Sequence, residues 1–186
     1  HWDYPYELFL KGGWLNPESP KWFEAYAVNI AKLFSDRVKH FITVNEPQCF
    51  IGCGLYQAVH APFLSYPPEE ALLAWHNTLK ANGLATRALR ANAKGSIQVG
   101  LTVATDVLMP ATEADKATIV KENFTLRGDN FFSNALFTDP AVLGKYPENL
   151  ASAFRANFTY DEKDMEIIKC DPDFLGLNIY HGKYIT

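Results

Sequence analysis

Several things that would classify this chain quickly are missing from its sequence. No stretch approaches the ~18 uninterrupted apolar residues of a membrane-spanning helix. The best candidate, IQVGLTVATDVLM, is short and carries Asp106, so no membrane partner is expected. No run of lysine and arginine stands out and the net charge is −4, so the electrostatic footprint of nucleic-acid binding is absent. Cysteine is scarce: Cys49, Cys53 and Cys170 are an odd number without framework spacing, which argues against a disulfide scaffold. Cys49-x-x-x-Cys53 has no matching His/Cys pair, so zinc is not expected, and the thiols read as reduced cysteines of an intracellular, cytoplasmic protein. The chain opens His1-Trp2-Asp3, without Met and without a basic-then-apolar leader, and so reads as a fragment or a processed piece. Internal repeats, low-complexity tracts and linkers are also missing, and residues 1–186 are expected to form a single domain.

Aromatic residues are plentiful. They make up 14% of the chain, within an apolar fraction of 48%. That is enough for one packed core, and it also suits a surface on which sugars stack. The periodicities alternate in type. Trp22, Phe23, Tyr26, Ala27, Ile30, Ala31 and Phe34 recur at helical spacing, predicting a helix over 20–34. Residues 40–45 read as a buried strand. An irregular Gly- and aromatic-rich loop, GCGLYQAVHAPFLSYPP, follows, and loops of that length are usually functional. Further helices are predicted over 69–91, 113–132 and 161–169, and further apolar strands over 97–103 and 173–180. Apolar strands alternating with helices predict a parallel α/β sheet covered on both faces.

In such folds ligands bind beyond the carboxyl ends of the strands. Three polar strand ends line up there: His1-Trp2-Asp3, Asn45-Glu46 after HFITV, and Asn178 with Tyr180 after DFLGL. One geometric difficulty accompanies this reading. Neighbours on a strand point to opposite faces, so Asn45 and Glu46 can share a pocket only if the strand ends between them. Pro47, which lacks an N–H and disfavours a helical residue before it, helps make that ending.

Taken together and in order, these segments resemble glycoside hydrolase family 1, the β-glucosidase family. HWDYPYELFLKGGWLNPE resembles the family's H-W-D-x-P segment, and FSDRVKHFITVNEP its F-[GS]-D-R-V-K-x-[WF]-x-T-x-N-E-P. FTDPAVLGKYP resembles F-x-D-P-x-x-x-G-x-Y-P, and DFLGLNIY resembles D-F-x-G-[IL]-N-x-Y. The resemblance implies part of a (β/α)8 TIM barrel, roughly its third to sixth strands. It also implies retaining hydrolysis of β-glycosides or oligosaccharides without a cofactor. Glu46 becomes the general acid/base, and Asn45 the residue that grips the sugar 2-hydroxyl. His1 and Trp2 line the sugar subsite, Gln48 faces the aglycone, and Tyr180 bonds the nucleophile with Asn178 in support. Such an enzyme needs one carboxyl to protonate the leaving oxygen and then to deprotonate water.

Two departures qualify the resemblance. The family's nucleophile motif, I/V-T-E-N-G, does not occur in this sequence, so the piece alone is expected to be inactive. Ala104 also stands where members often carry Asn. Open sheet edges at 40–46 and 173–180 are expected to cause self-association. A non-catalytic relative on the same barrel, like the klotho proteins, is the alternative reading. The retained Asn45-Glu46 pair argues for an active ancestor.

Overall fold

The computed structural model describes residues 4–126 and 128–185. Three parallel strands, β1 (His40–Asn45), β2 (Gln98–Pro110) and β3 (Phe174–Ile185), form one sheet in the order β1-β2-β3. Among the described residues seven α-helices accompany them: α1 (Tyr6–Phe9), α2 (Ser19–Phe34), α3 (Pro68–Asn92), α4 (Lys116–Phe124), α5 (Ala135–Thr138), α6 (Leu150–Phe154) and α7 (Asp164–Ile168).

Local sequence explains the two long helices. Pro20 lies in the first turn of α2, where a missing N–H costs nothing, and Asn16 Oδ1 accepts from the Glu18 N–H at 2.8 Å just before it. α3 also has proline in its first turn, with Glu69 and Glu70 there and Arg90 in its last turn, each of a sign that suits the helix dipole. The two helices pack through small residues, Ala27 and Ala31 against Ala85 and Ala88, with Leu89 and Val99 closing the cluster. A second, larger core is aromatic. Trp75, Phe131, Phe137 and Phe154 are fully buried in it, and the Trp75 indole donates to the Leu136 carbonyl at 3.1 Å. Gly83 lets α3 lie directly on the backbone of α7, since a Cβ there would collide with the carbonyl of Ile167.

Each face of the sheet has its own use. Val99, Leu101 and Val103 of β2 alternate with Gly100, Thr102 and Ala104. The first set faces the helices: Val99 and Phe41 lie in the α2/α3 cluster, and the Thr43 hydroxyl donates to Asn82 of α3 at 2.5 Å. The second set pairs with Ile42, Asn45, Phe174, Gly176 and Asn178 and forms the opposite face, which in a closed barrel is the interior.

Several expectations need correction. The stretch expected as an irregular loop starts inside a nine-residue π-helix, Gln48–Tyr56, and only its remainder is irregular. The helix expected over 113–132 is a single 3₁₀ turn followed by α4, which stops at Phe124. Gly128 takes a left-handed φ of 56°, which a continuing helix cannot accommodate. β2 and β3 run on past Val103 and Tyr180, pairing from Val107↔Gly182 to Pro110↔Ile185. Burial on both faces holds only for residues 99–104 of β2. On the edge strands Ile42, Leu175, Leu177 and Ile179 stay about half exposed, because each of those strands has a neighbour on one side only.

Candidate active site

The site grows from an irregularity in β1. Ile42 pairs with Gly100, but the next register partner of Thr102 is Asn45, so three residues of β1 span two of β2. Such a bulge shifts the alternation by one and brings Asn45 onto the interior face. Glu46 then adopts φ 49°, the left-handed region that a non-glycine residue occupies at a cost of about 1–3 kcal/mol. Its N–H still donates to the Thr102 carbonyl at 2.9 Å, while its own carbonyl accepts from the Cys49 N–H at 2.9 Å. Pro47, at φ −59° and ψ −21°, supplies the second residue of that reversal. Bulge and turn together remove the geometric difficulty: consecutive side chains reach the same place.

That place is the amide of Asn178. Its Nδ2 donates to Glu46 Oε1 at 2.5 Å and to Asn45 Oδ1 at 3.1 Å. Asn178 belongs to β3, and Glu46 follows β1 on the far side of β2. The amide can cross because its partner on β2 is Ala104, whose methyl leaves the gap open. The other carboxylate oxygen of Glu46, Oε2, accepts from the thiol of Cys49, with Sγ at 3.4 Å. Glu46 is only 3% exposed. Both named partners are neutral, so the buried carboxylate is held by hydrogen bonds rather than by an opposite charge.

The remaining predicted residues are placed differently. Gln48 is completely buried. Its Nε2 points to the Ala104 carbonyl at 3.5 Å, and its Oε1 has no partner among the described residues. It therefore does not face an open aglycone site, because the π-helix turns it inward behind β2. Tyr180 is 75% exposed, with its ring against His181, and is not drawn into the Asn45–Glu46–Asn178 cluster. The predictions for His1 and Trp2 lie outside the described residues. Cys49 was missed as a site residue; its spacing of three from Glu46, across a proline turn, was the available signal. Its other side borders a cavity of about 650 Å³ lined largely by aromatic rings, among them Trp14, Phe50, Phe63 and Tyr66.

A buried carboxylate at the carboxyl end of a parallel strand, gripped from a second strand, lies at the end where α/β barrels carry their active sites. The sequence profile of "Glycosyl hydrolase family 1" matches residues 1–186, and the chain belongs to that family. It is 34% identical over 189 residues to the 1,4-beta-D-glucan glucohydrolase of Thermotoga neapolitana, covering 100% of this chain and 42% of the relative. To Beta-glucosidase A of Thermotoga maritima it is 35% identical over 186 residues, covering 100% and 40%. The structure of a Thermotoga maritima β-glucosidase in complex with castanospermine superposes with a TM-score of 0.83 at 34% identity, covering 100% of this chain and 41% of that one. The fold is thus part of a TIM barrel, and the chain spans about two-fifths of the length of the curated relatives it matches.

Proposed function

We propose that this chain is the central portion of a retaining β-glycosidase of the β-glucosidase type, with Glu46 as its general acid/base. The observation that carries this reading is the state of Glu46. It is a carboxylate almost removed from water, on a strained backbone at a strand end, whose two oxygens are each held by a neutral donor. Strain and burial of that kind concentrate where a structure serves chemistry rather than stability. Asn45, held by the same amide, is placed to accept or donate to a sugar hydroxyl beside the scissile bond, a contact that strengthens in the oxocarbenium-like transition state. Asn178 acts here as the residue that orients both.

Retention requires a second carboxyl roughly 5–5.5 Å from the first. The sequence has no I/V-T-E-N-G segment to supply it, so the chain by itself is proposed to be inactive. Its edge strands β1 and β3 are proposed to pair with further chain or with other copies; a strictly monomeric isolated chain in sedimentation velocity would argue against that.

The deciding experiment is hydrolysis of 4-nitrophenyl β-D-glucoside by the complete enzyme and by its Glu46→Gln variant. Loss of activity that azide partly restores with an activated leaving group establishes the acid/base role. Equal activity in the two proteins removes it. An inert wild type points instead to a binding relative, or to another sugar.

A further inference from the structure

We propose that Cys49 is a positioning residue for Glu46: its thiol holds Oε2 by donating to the carboxylate, and turns to accept from the same oxygen once that oxygen carries a proton. This rests on the reading of Glu46 as the acid/base.

The argument begins with which oxygen is free to be protonated. Asn178 Nδ2 can only donate, and it lies 2.5 Å from Oε1, so the space between those two atoms already holds an amide hydrogen. Oε2, the oxygen facing Cys49, is the less strongly engaged of the two and the natural seat for the proton that Glu46 would give and regain. A neighbour at that position must serve two states of the carboxyl. It must donate to the anion and accept from the acid, and a group with donors alone would oppose the second state. A thiol has one hydrogen and accepting lone pairs, and both its bonds are weak. It can attend the carboxyl in either state without strongly favouring one.

Backbone geometry brings the two side chains together. The Cys49 N–H closes the turn on the Glu46 carbonyl at 2.9 Å, and Sγ lies within 3.4 Å of Oε2. Cys49 is 8% exposed. Burial first, and then the hydrogen bond and charge of Glu46, push its thiol up to about 12, so it keeps its hydrogen wherever the enzyme would work. The second buried thiol of the π-helix, Cys53, has no such bond to Glu46 and serves as an internal reference.

The test uses the complete enzyme with two substrates and one spectroscopic signal. A methyl β-glucoside needs its leaving oxygen protonated, whereas a 2,4-dinitrophenyl β-glucoside does not. Cys49→Ala is expected to lower kcat/KM, which reports the step that expels the leaving group, by about five- to ten-fold more for the methyl glycoside than for the dinitrophenyl glycoside, the scale of one lost hydrogen bond. Cys49→Ser, which keeps a two-way partner, is expected to recover most of that difference. In the infrared spectrum, the S–H stretch that disappears in Cys49→Ala should lie below that of Cys53, and it should rise in Glu46→Gln, where the acceptor loses its charge. Equal losses on both substrates, or a Cys49 band indifferent to Glu46→Gln, would overturn the proposal while leaving the acid/base reading intact. If Glu46→Gln itself hydrolyses the methyl glycoside normally, the acid/base reading fails, and the proposal fails with it.

Discussion

Glu46 and Asp164 are two carboxylates taken largely out of water, and their surroundings differ in kind. Asp164, at the start of α7, faces one cation and one imidazole. The Lys80 ammonium lies 2.9 Å from it, and His76 Nε2 lies 3.1 Å away. The far nitrogen of that imidazole meets the Tyr146 hydroxyl at 2.9 Å, and the rings of Tyr146, Phe158 and Tyr160 enclose it. Burial alone would raise the Asp164 carboxyl, but the bonds from Lys80 and His76 hold it below the usual range. The cluster ties α3 to α7 and is committed to one charge state. Glu46 instead meets an amide and a thiol, so no opposite charge pairs with it among these contacts. Removing one partner of a buried ion pair leaves the other uncompensated, whereas a buried carboxylate in a cleft without a charge partner is a candidate functional group.

The contrast predicts opposite phenotypes. Glu46→Gln in the complete enzyme should cut turnover of alkyl glucosides by about 10²–10⁴-fold, the usual worth of general acid–base catalysis, without lowering the melting temperature. A marked fall in melting temperature with activity retained would reverse the assignment of roles. The next effect in size belongs to Asn178→Ala, which strips Oε1 of its donor and releases Asn45. Hydrogen bonds to charged groups are worth about 1.5–3 kcal/mol, so kcat/KM should fall about 10- to 100-fold. A change within about two-fold, a few tenths of a kcal/mol, would mean that the amide is not a working part of the site.

Much of this was legible in the chain itself. The strand cores, the two long helices and the parallel order followed from periodicity, since long amphipathic and apolar runs admit few alternatives. The meeting of Asn45, Glu46 and Asn178 was legible as polar residues at apolar strand ends. What could not be read were features set by tertiary context. A bulge is a mismatch between two strands, and β1 alone does not contain it. Within the π-helix over Gln48–Tyr56, Gly52 packs directly on Phe131, where an added Cβ would come within 2.7 Å of the Phe131 Cβ. Gln48 looked like a site residue by position, but the direction it faces is fixed by that helix. The continuation of β2 and β3 past polar residues such as Asp106 depends on the two strands pairing with each other, and Lys183 of β3 bridges to Asp106 across that ladder.

On the structural side of the comparison, Asp164→Ala leaves Lys80 and His76 without their shared acceptor. The site is not sealed from solvent, so the loss is smaller than for a fully buried pair. A destabilisation of about 1–3 kcal/mol is expected, read from the denaturant midpoint, with glycosidase turnover per folded molecule unchanged. Loss of turnover at equal folding would show that the cluster communicates with the sheet and is not merely a fastening.

The smallest effect, and the most specific, is the pH dependence of that fastening. Burial lowers the proton affinity of His76 below its ordinary 6.5. The Asp164 carboxylate, through its hydrogen bond and its charge, offsets part of this, and the Lys80 charge adds to the lowering. Tyr146, raised well above 10 by burial, stays neutral throughout. The folded protein therefore keeps His76 uncharged at a pH where the unfolded chain already protonates it. Below about 6.5 the unfolded state binds the extra proton, so stability falls as pH falls, with a slope of at most about 1.4 kcal/mol per pH unit for one group. Asp164, held low in the folded state, adds a separate loss below about 4 as its carboxylate is protonated. Denaturant titrations between pH 7 and 5 should show the first slope in the wild type and a flatter line in His76→Gln, where nothing at that position titrates. Parallel lines for the two proteins would assign the acid sensitivity to other groups and leave His76 as a packing residue only.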